Sequence, residues 1–178
     1  MTGPGVRLRG FHVEEFDVLF ERLRGWMPDA VSENEAYWRE QTETRISGSG
    51  AWAENGLDFA VEVDGRLAGA VQALGTFFRL PPNVYELGLE FFEPADRGRG
   101  LGGAVLDDFV PRVFAHGAIR LQGRTHVENA AMIRLFERRG FVREGVLRDM
   151  WPLDGVCGDM VLYAMTRSDF GRAFPQAD

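Results

Sequence analysis

The chain reads as a mixed α/β fold. Three observations predict this. Apolar residues recur at helical spacing over 13–26. Strand-like runs joined by an Asp64-Gly65 hairpin signal fill 59–92. Helix and strand patterns then alternate to the end. A length of 178 residues suits one domain, 1–178 with its core over about 6–170, and is enough to bury a real core.

The elements follow in order. Val6-Arg7-Leu8-Arg9 alternates apolar and basic and predicts a first strand. Phe16, Leu19, Phe20 and Leu23 line one face of a helix over 13–26. Ser32 with Glu35 three residues on predicts a capping box, opening a helix through Trp38 towards Arg45 that ends at Gly48-Ser49-Gly50. Phe59 to Val63, Asp64-Gly65 and a long arm from Arg66 to Phe78 make the hairpin. Gly69 and Gly75 mark bulges or close approaches in that arm. After Pro81-Pro82-Asn83, a strand runs from Tyr85 to Phe92. A helix over 100–114 carries Pro111, which predicts a kink. Ile119 to Thr125 alternates as a strand, Asn129 caps a helix ending at Gly140, and strands over 142–150 and 159–165 close the sheet.

Composition narrows the function. Hydrophobic residues make up 45% and charged residues 26%, and no run approaches the ~20 apolar residues of a membrane span. Met1 to Gly5 reads as a short start rather than a signal segment. The single cysteine, Cys157, excludes an internal disulfide and fits a cytoplasmic setting. A net charge of −7 argues against a nucleic-acid partner. It favours cationic ligands, so an anion must be held by local arginines and backbone N–H groups.

Arg97-Gly98-Arg99-Gly100-Leu101-Gly102-Gly103 follows a strand and opens a helix. Glycines let backbone approach a ligand closely. The first helical turn offers unpaired N–H groups and partial positive charge, which together cradle phosphate. Arg97 and Arg99 add fork-shaped cationic donors. No Lys-Ser/Thr pair follows, as a Walker loop needs, and the G-x-G-x-x-G spacing is missing.

The Arg97-x-x-Gly100-x-Gly102 pattern resembles the acyl-CoA signature of the GNAT acetyltransferase superfamily. Asn129-Ala130-Ala131 with Phe136-Glu137-Arg138-Arg139-Gly140-Phe141 resembles a second segment of that superfamily. Glu144 to Asp149, Asp154-Gly155 and Asp159 to Tyr163 are similar to the closing strands of its Rim-type branch, which acetylates ribosomal-protein N-termini, polyamines and antibiotics. The resemblance covers about 6–170 and implies a mostly antiparallel sheet, splayed between its fourth and fifth strands, with about four helices. It implies acetyl-CoA as co-substrate, in the splay, and no metal. Glu90, Phe91 and Phe92 are then expected to offer backbone to the pantetheine arm. The turn from Arg97 to Gly103 is expected to take the pyrophosphate. Asn129 and Phe136 are expected to border the thiol end, and Arg138 or Arg139 to reach the adenosine-side phosphate.

Acetyl transfer to an amine needs a base, because an alkyl ammonium has a pKa of roughly 10 and an α-amine about 8. Glu86 and Glu90 share one strand face by the period of two, and Glu86 stands eleven residues before Arg97, where several members of the superfamily keep a catalytic glutamate. Glu86 is the first candidate, Glu90 the second and His126 a third. Phe136 stands where many relatives carry a tyrosine as candidate acid, so no dedicated acid is expected. The expected function is N-acetylation of a primary amine by direct attack in a ternary complex. A non-catalytic acyl-CoA sensor, a succinyl-CoA-dependent enzyme and an unrelated nucleotide-binding domain remain alternatives. A homodimer is expected by analogy alone.

Overall fold

A computed structural model of the chain describes residues 5–53, 56–75, 80–153 and 156–175. Among the described residues, eight strands and six helices follow one another as β1 (Val6–Arg9), α1 (Phe16–Trp26), α2 (Pro28–Glu33), α3 (Glu35–Gly48), β2 (Trp52–Ala53), β3 (Gly56–Val63), β4 (Arg66–Leu74), β5 (Val84–Phe91), α4 (Leu101–Ala115), β6 (Arg120–His126), α5 (Ala130–Arg138), β7 (Val142–Leu153), β8 (Val156–Thr166) and α6 (Arg167–Ala173). The sheet order is β1-β3-β4-β5-β6-β8-β7, with β2 on the side of β3. All pairs are antiparallel except β5 with β6. This is the predicted α/β fold, with two short helices, α2 and α6, beyond the four expected.

Side-chain alternation explains the layering. Phe59, Val61, Val63, Val71, Ala73 and Leu87 point to one face and pack with Val105, Phe109 and Val113 of α4 and Phe136 of α5. On the other face, Ala60 and Ala70 meet Phe11, Leu19 of α1 and Ile46 of α3. Helices thus cover both faces of the sheet.

Local signals decide most boundaries. Asp64 and Gly65 both take positive φ, 51° and 80°, as a type I′ hairpin turn requires. Gly69 is a close approach: an added Cβ would lie 2.1 Å from the Glu90 carbonyl oxygen of β5. The expected capping box at Ser32 is corrected. Pro28 starts a separate helix, α2, which contains Ser32, and the α3 cap is Asn34, whose Oδ1 accepts the Tyr37 N–H at 3.3 Å. α4 runs as one helix through Pro111. The arm from Arg66 pairs as far as Leu74; residues 76–78 of its expected extension lie outside the described residues, as does Asp154-Gly155. Among the described residues no helix is long and apolar enough to cross a membrane.

Two features shape the site. β5 and β6 pair over only three positions, Val84↔Arg120, Tyr85↔Leu121 and Glu86↔Gln122. Beyond Glu86, β5 stays with β4 and β6 with β8, so the sheet splits between its fourth and fifth long strands. α5 ends in a Schellman motif: Gly140 has φ 79°, Phe141 N–H donates to Phe136 O at 3.0 Å, and Gly140 N–H donates to Glu137 O at 3.1 Å. The Phe136 and Phe141 rings meet across it at 5.0 Å.

Candidate active site

The split leaves the facing backbone edges of Leu87–Phe91 and Gly123–His126 without each other as ladder partners. Backbone N–H and C=O groups must pair with something, so this gap favours an extended, amide-bearing ligand. It opens from an apex at Glu86 and Gln122 towards the glycine turn at the head of α4.

In the turn, Gly98 and Gly100 have φ of 74° and 79°, and Gly100 is the α4 N-cap. A Cβ added at either would meet nothing within 4 Å, so these backbone atoms face open space. Gly102 and Gly103 serve packing instead. A Cβ on Gly102 would lie 2.9 Å from Leu135 Cδ2, and one on Gly103 2.2 Å from Arg139 Nη2. Leu101 is buried and pins the helix start to the core. The first turn of α4 therefore presents free N–H groups at a positive helix end, over glycines that admit a phosphate. These residues fit the CoA pyrophosphate.

Arg97 and Arg99 flank the turn. Arg97 Nη2 reaches the Phe91 carbonyl oxygen at 3.4 Å. Arg99 Nη1 donates to Asp96 Oδ1 at 3.3 Å, and Arg66 at the start of β4 donates through both Nη atoms to the same carboxylate. These arginines hold the Asp96 carboxyl below the usual aspartate range, the Arg66 bonds contributing most. Neither Arg66 nor Asp96 was singled out in the sequence. Asp96 adjoins the motif as a buried acid after Pro94, but nothing local points thirty residues back to Arg66.

Glu86 and Glu90 do share a strand face, since no bulge interrupts β5 against β4. Glu86 is 6% exposed and lies at the apex. Its Oε1 accepts from Arg124 Nε at 2.6 Å and its Oε2 from Gln122 Nε2 at 2.9 Å. Gln122 Oε1 in turn accepts from Arg120 Nε at 2.8 Å, and Arg120 pairs with Glu144 of β7. Arg124 and Gln122 were legible only as the polar side of an alternating strand; their role depends on the parallel pairing. Glu90 is more exposed and pairs with Arg22 of α1, whose guanidinium also covers the Phe92 ring at 4.4 Å. Phe91 packs on the main core and Phe92 on the smaller one. His126, third among the candidate bases, lies at the end of β6, its Nδ1 3.4 Å from the Glu128 amide nitrogen.

Across the gap, Asn129 has two partners. Its Oδ1 accepts the Met132 N–H at 3.1 Å as a helix cap, and its Nδ2 donates to Thr125 Oγ1 at 3.0 Å. Phe136 is wholly buried, stacked on Tyr163 at 5.2 Å, with its Cζ beside Gly123 of β6. Tyr163 donates its hydroxyl to Glu137 Oε1 at 2.8 Å, and burial with that bond pushes its pKa up. Arg139 lies over Gly103 and pairs with Asp107 through two hydrogen bonds of 2.6 and 2.9 Å. The structure thus gathers the turn, the Glu86 apex and Asn129 around one gap. It sets Phe136 beneath the gap and Arg139 behind the turn.

Comparison with known proteins agrees with this geometry. The family model described as "Acetyltransferase (GNAT) family" matches residues 19–141. The chain is 29% identical over 115 residues to an L-2,4-diaminobutyric acid acetyltransferase of Nocardia farcinica; the match spans 58% of each protein, little more than half of that relative's length. A chimera of spermidine N-acetyltransferase SpeG from Vibrio cholerae and hSSAT superposes with a TM-score of 0.71 at 17% identity, covering 94% of this chain and 98% of the other. Mycobacterium smegmatis RimJ in complex with CoA-disulfide superposes with a TM-score of 0.68 at 21% identity, covering 96% and 84%. A family match over more than half of the chain, on a split sheet leading to a glycine turn, places this protein in the GNAT acetyltransferase family.

Proposed function

We propose that the protein is an acetyl-CoA-dependent N-acetyltransferase acting on a primary alkyl amine. The observation that carries this reading is the split between β5 and β6, which runs from the Glu86 apex to the phosphate-friendly head of α4. The pantetheine arm lies in the gap, its amides paired with the freed edges of β5 and β6, and the pyrophosphate rests on the turn from Arg97 to Gly103. Laid along β5 from that anchor, the arm brings its thioester towards Glu86.

The amine nitrogen attacks the thioester carbonyl carbon, the C–S bond breaks, and the electron pair leaves on sulfur. The ammonium proton passes through water to the Glu86 end of the site, with Glu90 as the second acceptor on the same face. A thiolate leaves without a dedicated acid, because a free thiol has a pKa of only about 8.5. Phe136 supplies no proton. A primary alkyl amine is chosen because two of the similar proteins are named for diaminobutyric acid and spermidine, which both carry one.

The test is release of free thiol from acetyl-CoA in the presence of L-2,4-diaminobutyrate, spermidine or a peptide with a free N-terminus. The chain contains no lysine, so release cannot come from acylation of its own side-chain amines. Turnover with at least one acceptor is expected, slowed about 100-fold by Glu86→Gln. Silence with every acceptor overturns the reading, and faster turnover of succinyl-CoA reassigns the donor.

A further inference from the structure

Gly88 stands in the interior of β5, and its φ is not positive. Backbone conformation therefore does not call for a glycine there. A neighbour does. A Cβ at this position would lie 2.9 Å from both Cγ and Nε2 of Gln72, so the Gln72 side chain lies across the strand in the space a larger residue would fill. Gln72 stands opposite Gly88 in the pairing of β4 with β5. Side chains alternate, so Gln72 shares its sheet face with Glu86 and Glu90, and its carboxamide leans between them. Gly88 lies two residues past Glu86, the last rung of β5 with β6, where the β5 edge is free.

The acids around Gln72 are already matched. Asp58, opposite it on β3, accepts from Arg45 at 2.6 and 3.2 Å. Glu86 accepts from Arg124 and Gln122, and Glu90 pairs with Arg22. The Gln72 carboxamide makes no hydrogen bond among the described residues, yet neither of its polar atoms is sealed from solvent. It is a half-buried neutral group with its acceptor and donors unused. Water satisfies such a group at little cost. A ligand that displaces the water must replace those bonds.

The reacting nitrogen can replace one. When a primary amine attacks the thioester carbon, its lone pair forms the N–C bond, and the nitrogen then carries a positive charge and two N–H groups. One proton leaves through water towards Glu86. The other stays in the amide product while the C–S bond breaks and the electron pair leaves on sulfur. A hydrogen bond from that second N–H strengthens as the charge develops, so it favours the transition state over the ground state. A secondary amine has only the N–H that is lost.

We propose that Gln72 is a specificity-determining residue of the acceptor site: its carboxamide oxygen accepts the N–H that the nitrogen keeps, and so selects primary over secondary amines. This rests on the acetyl-transfer reading given above. The experiment takes the acceptor that the protein turns over, among L-2,4-diaminobutyrate, spermidine and a peptide with a free N-terminus. It compares that compound with the same compound methylated on its primary nitrogens. Thiol release gives kcat/KM for each, and a methylated compound too slow to measure is titrated as a competitive inhibitor. The unaltered protein is expected to prefer the primary amine by about 100-fold. Gln72→Met keeps the length of the side chain and removes its hydrogen bonding. It is expected to cut kcat/KM for the primary amine about tenfold, with the methylated compound and the KM for acetyl-CoA both held within about twofold. Gln72→Asn withdraws the oxygen by one methylene, is expected to act in the same direction, and carries the test if the methionine variant does not fold. An unaltered protein that treats both acceptors alike, a preference unchanged in the variants, or an equal loss for both acceptors overturns the role of Gln72 and leaves acetyl transfer standing. If no acceptor releases thiol, the acetyltransferase reading falls and the selection by Gln72 falls with it.

Discussion

Arg124 Nε, two residues beyond the last paired rung of β5 with β6, donates back to Glu86 Oε1 at 2.6 Å. The bond ties the two strands at the apex and fixes the carboxylate proposed as the base. Structure and chemistry therefore compete for one residue. Glu86→Gln replaces the carboxylate that Arg124 Nε bonds and is expected to cost about 1–3 kcal/mol. Adding Arg124→Gln changes the donor that had faced that carboxylate and couples to the first change, while acetyl transfer stays low if the carboxylate itself is required. Denaturant unfolding and thiol release, measured on both single variants and the double variant, separate the two effects. Recovery of activity along with stability would make Glu86 a structural residue only.

The glycines of the turn divide into two classes. Gly98 and Gly100 need positive φ and face open space. Alanine at either costs about 1–2 kcal/mol of backbone strain. It also puts a methyl group where the proposed site takes a phosphate, so CoA affinity is expected to fall about tenfold or more. Gly103→Ala instead meets the flexible end of Arg139 and displaces its pair with Asp107. Such an exposed pair is worth about 0–1 kcal/mol, and CoA affinity is expected to hold. Thermal melts with and without CoA distinguish the classes.

The legible part of this site was local, and the illegible part was long-range. The turn, the Asn129 cap and the Gly140 stop each occupy a few consecutive residues, so sequence spacing reveals them. Glu86 and Glu90 could be put on one face because alternation is a local rule. The partners that give them their surroundings, Arg124 and Arg22, lie 38 and 68 residues away and depend on which strands and helices become neighbours. The Ser32 cap failed for a local reason. A proline four residues earlier starts its own helix, and Asn34 is the better placed oxygen.

Gly123 and Phe136 form a coupled pair beneath the gap. A Cβ on Gly123 would come within 2.7 Å of Phe136 Cζ, and the ring is held by Phe141 and Tyr163 on its other sides. Gly123→Ala therefore overpacks the core and is expected to cost about 1–3 kcal/mol. Phe136→Ala removes the ring from a fully buried place and is expected to cost about 3–5 kcal/mol. Phe136→Leu combined with Gly123→Ala shrinks one partner as the other grows, so the pair is expected to lose less than the sum of its single changes. Chemical denaturation of Gly123→Ala, Phe136→Leu and their combination against the unaltered protein measures the coupling, and strict additivity would contradict the contact.

Acid should loosen the ion cluster beside the α4 turn together with the other carboxylate contacts of the fold. Arg66 and Arg99 hold the Asp96 carboxyl below its ordinary value of 3.8, so the folded state prefers the charged form more than the unfolded chain does. For such a group the stabilisation is complete above pH 3.8, and it drains away as pH falls through the lower folded value. Glu144 with Arg120 and Asp169 with Thr166 behave in the same sense, so the whole protein loses stability on acidification. Asp96→Asn removes one such contribution. Its melting temperature is expected to lie below that of the unaltered protein at neutral pH and to fall less steeply in acid, bringing the two curves together. Parallel curves across the acid range would mean that Asp96 is not held by Arg66 in solution.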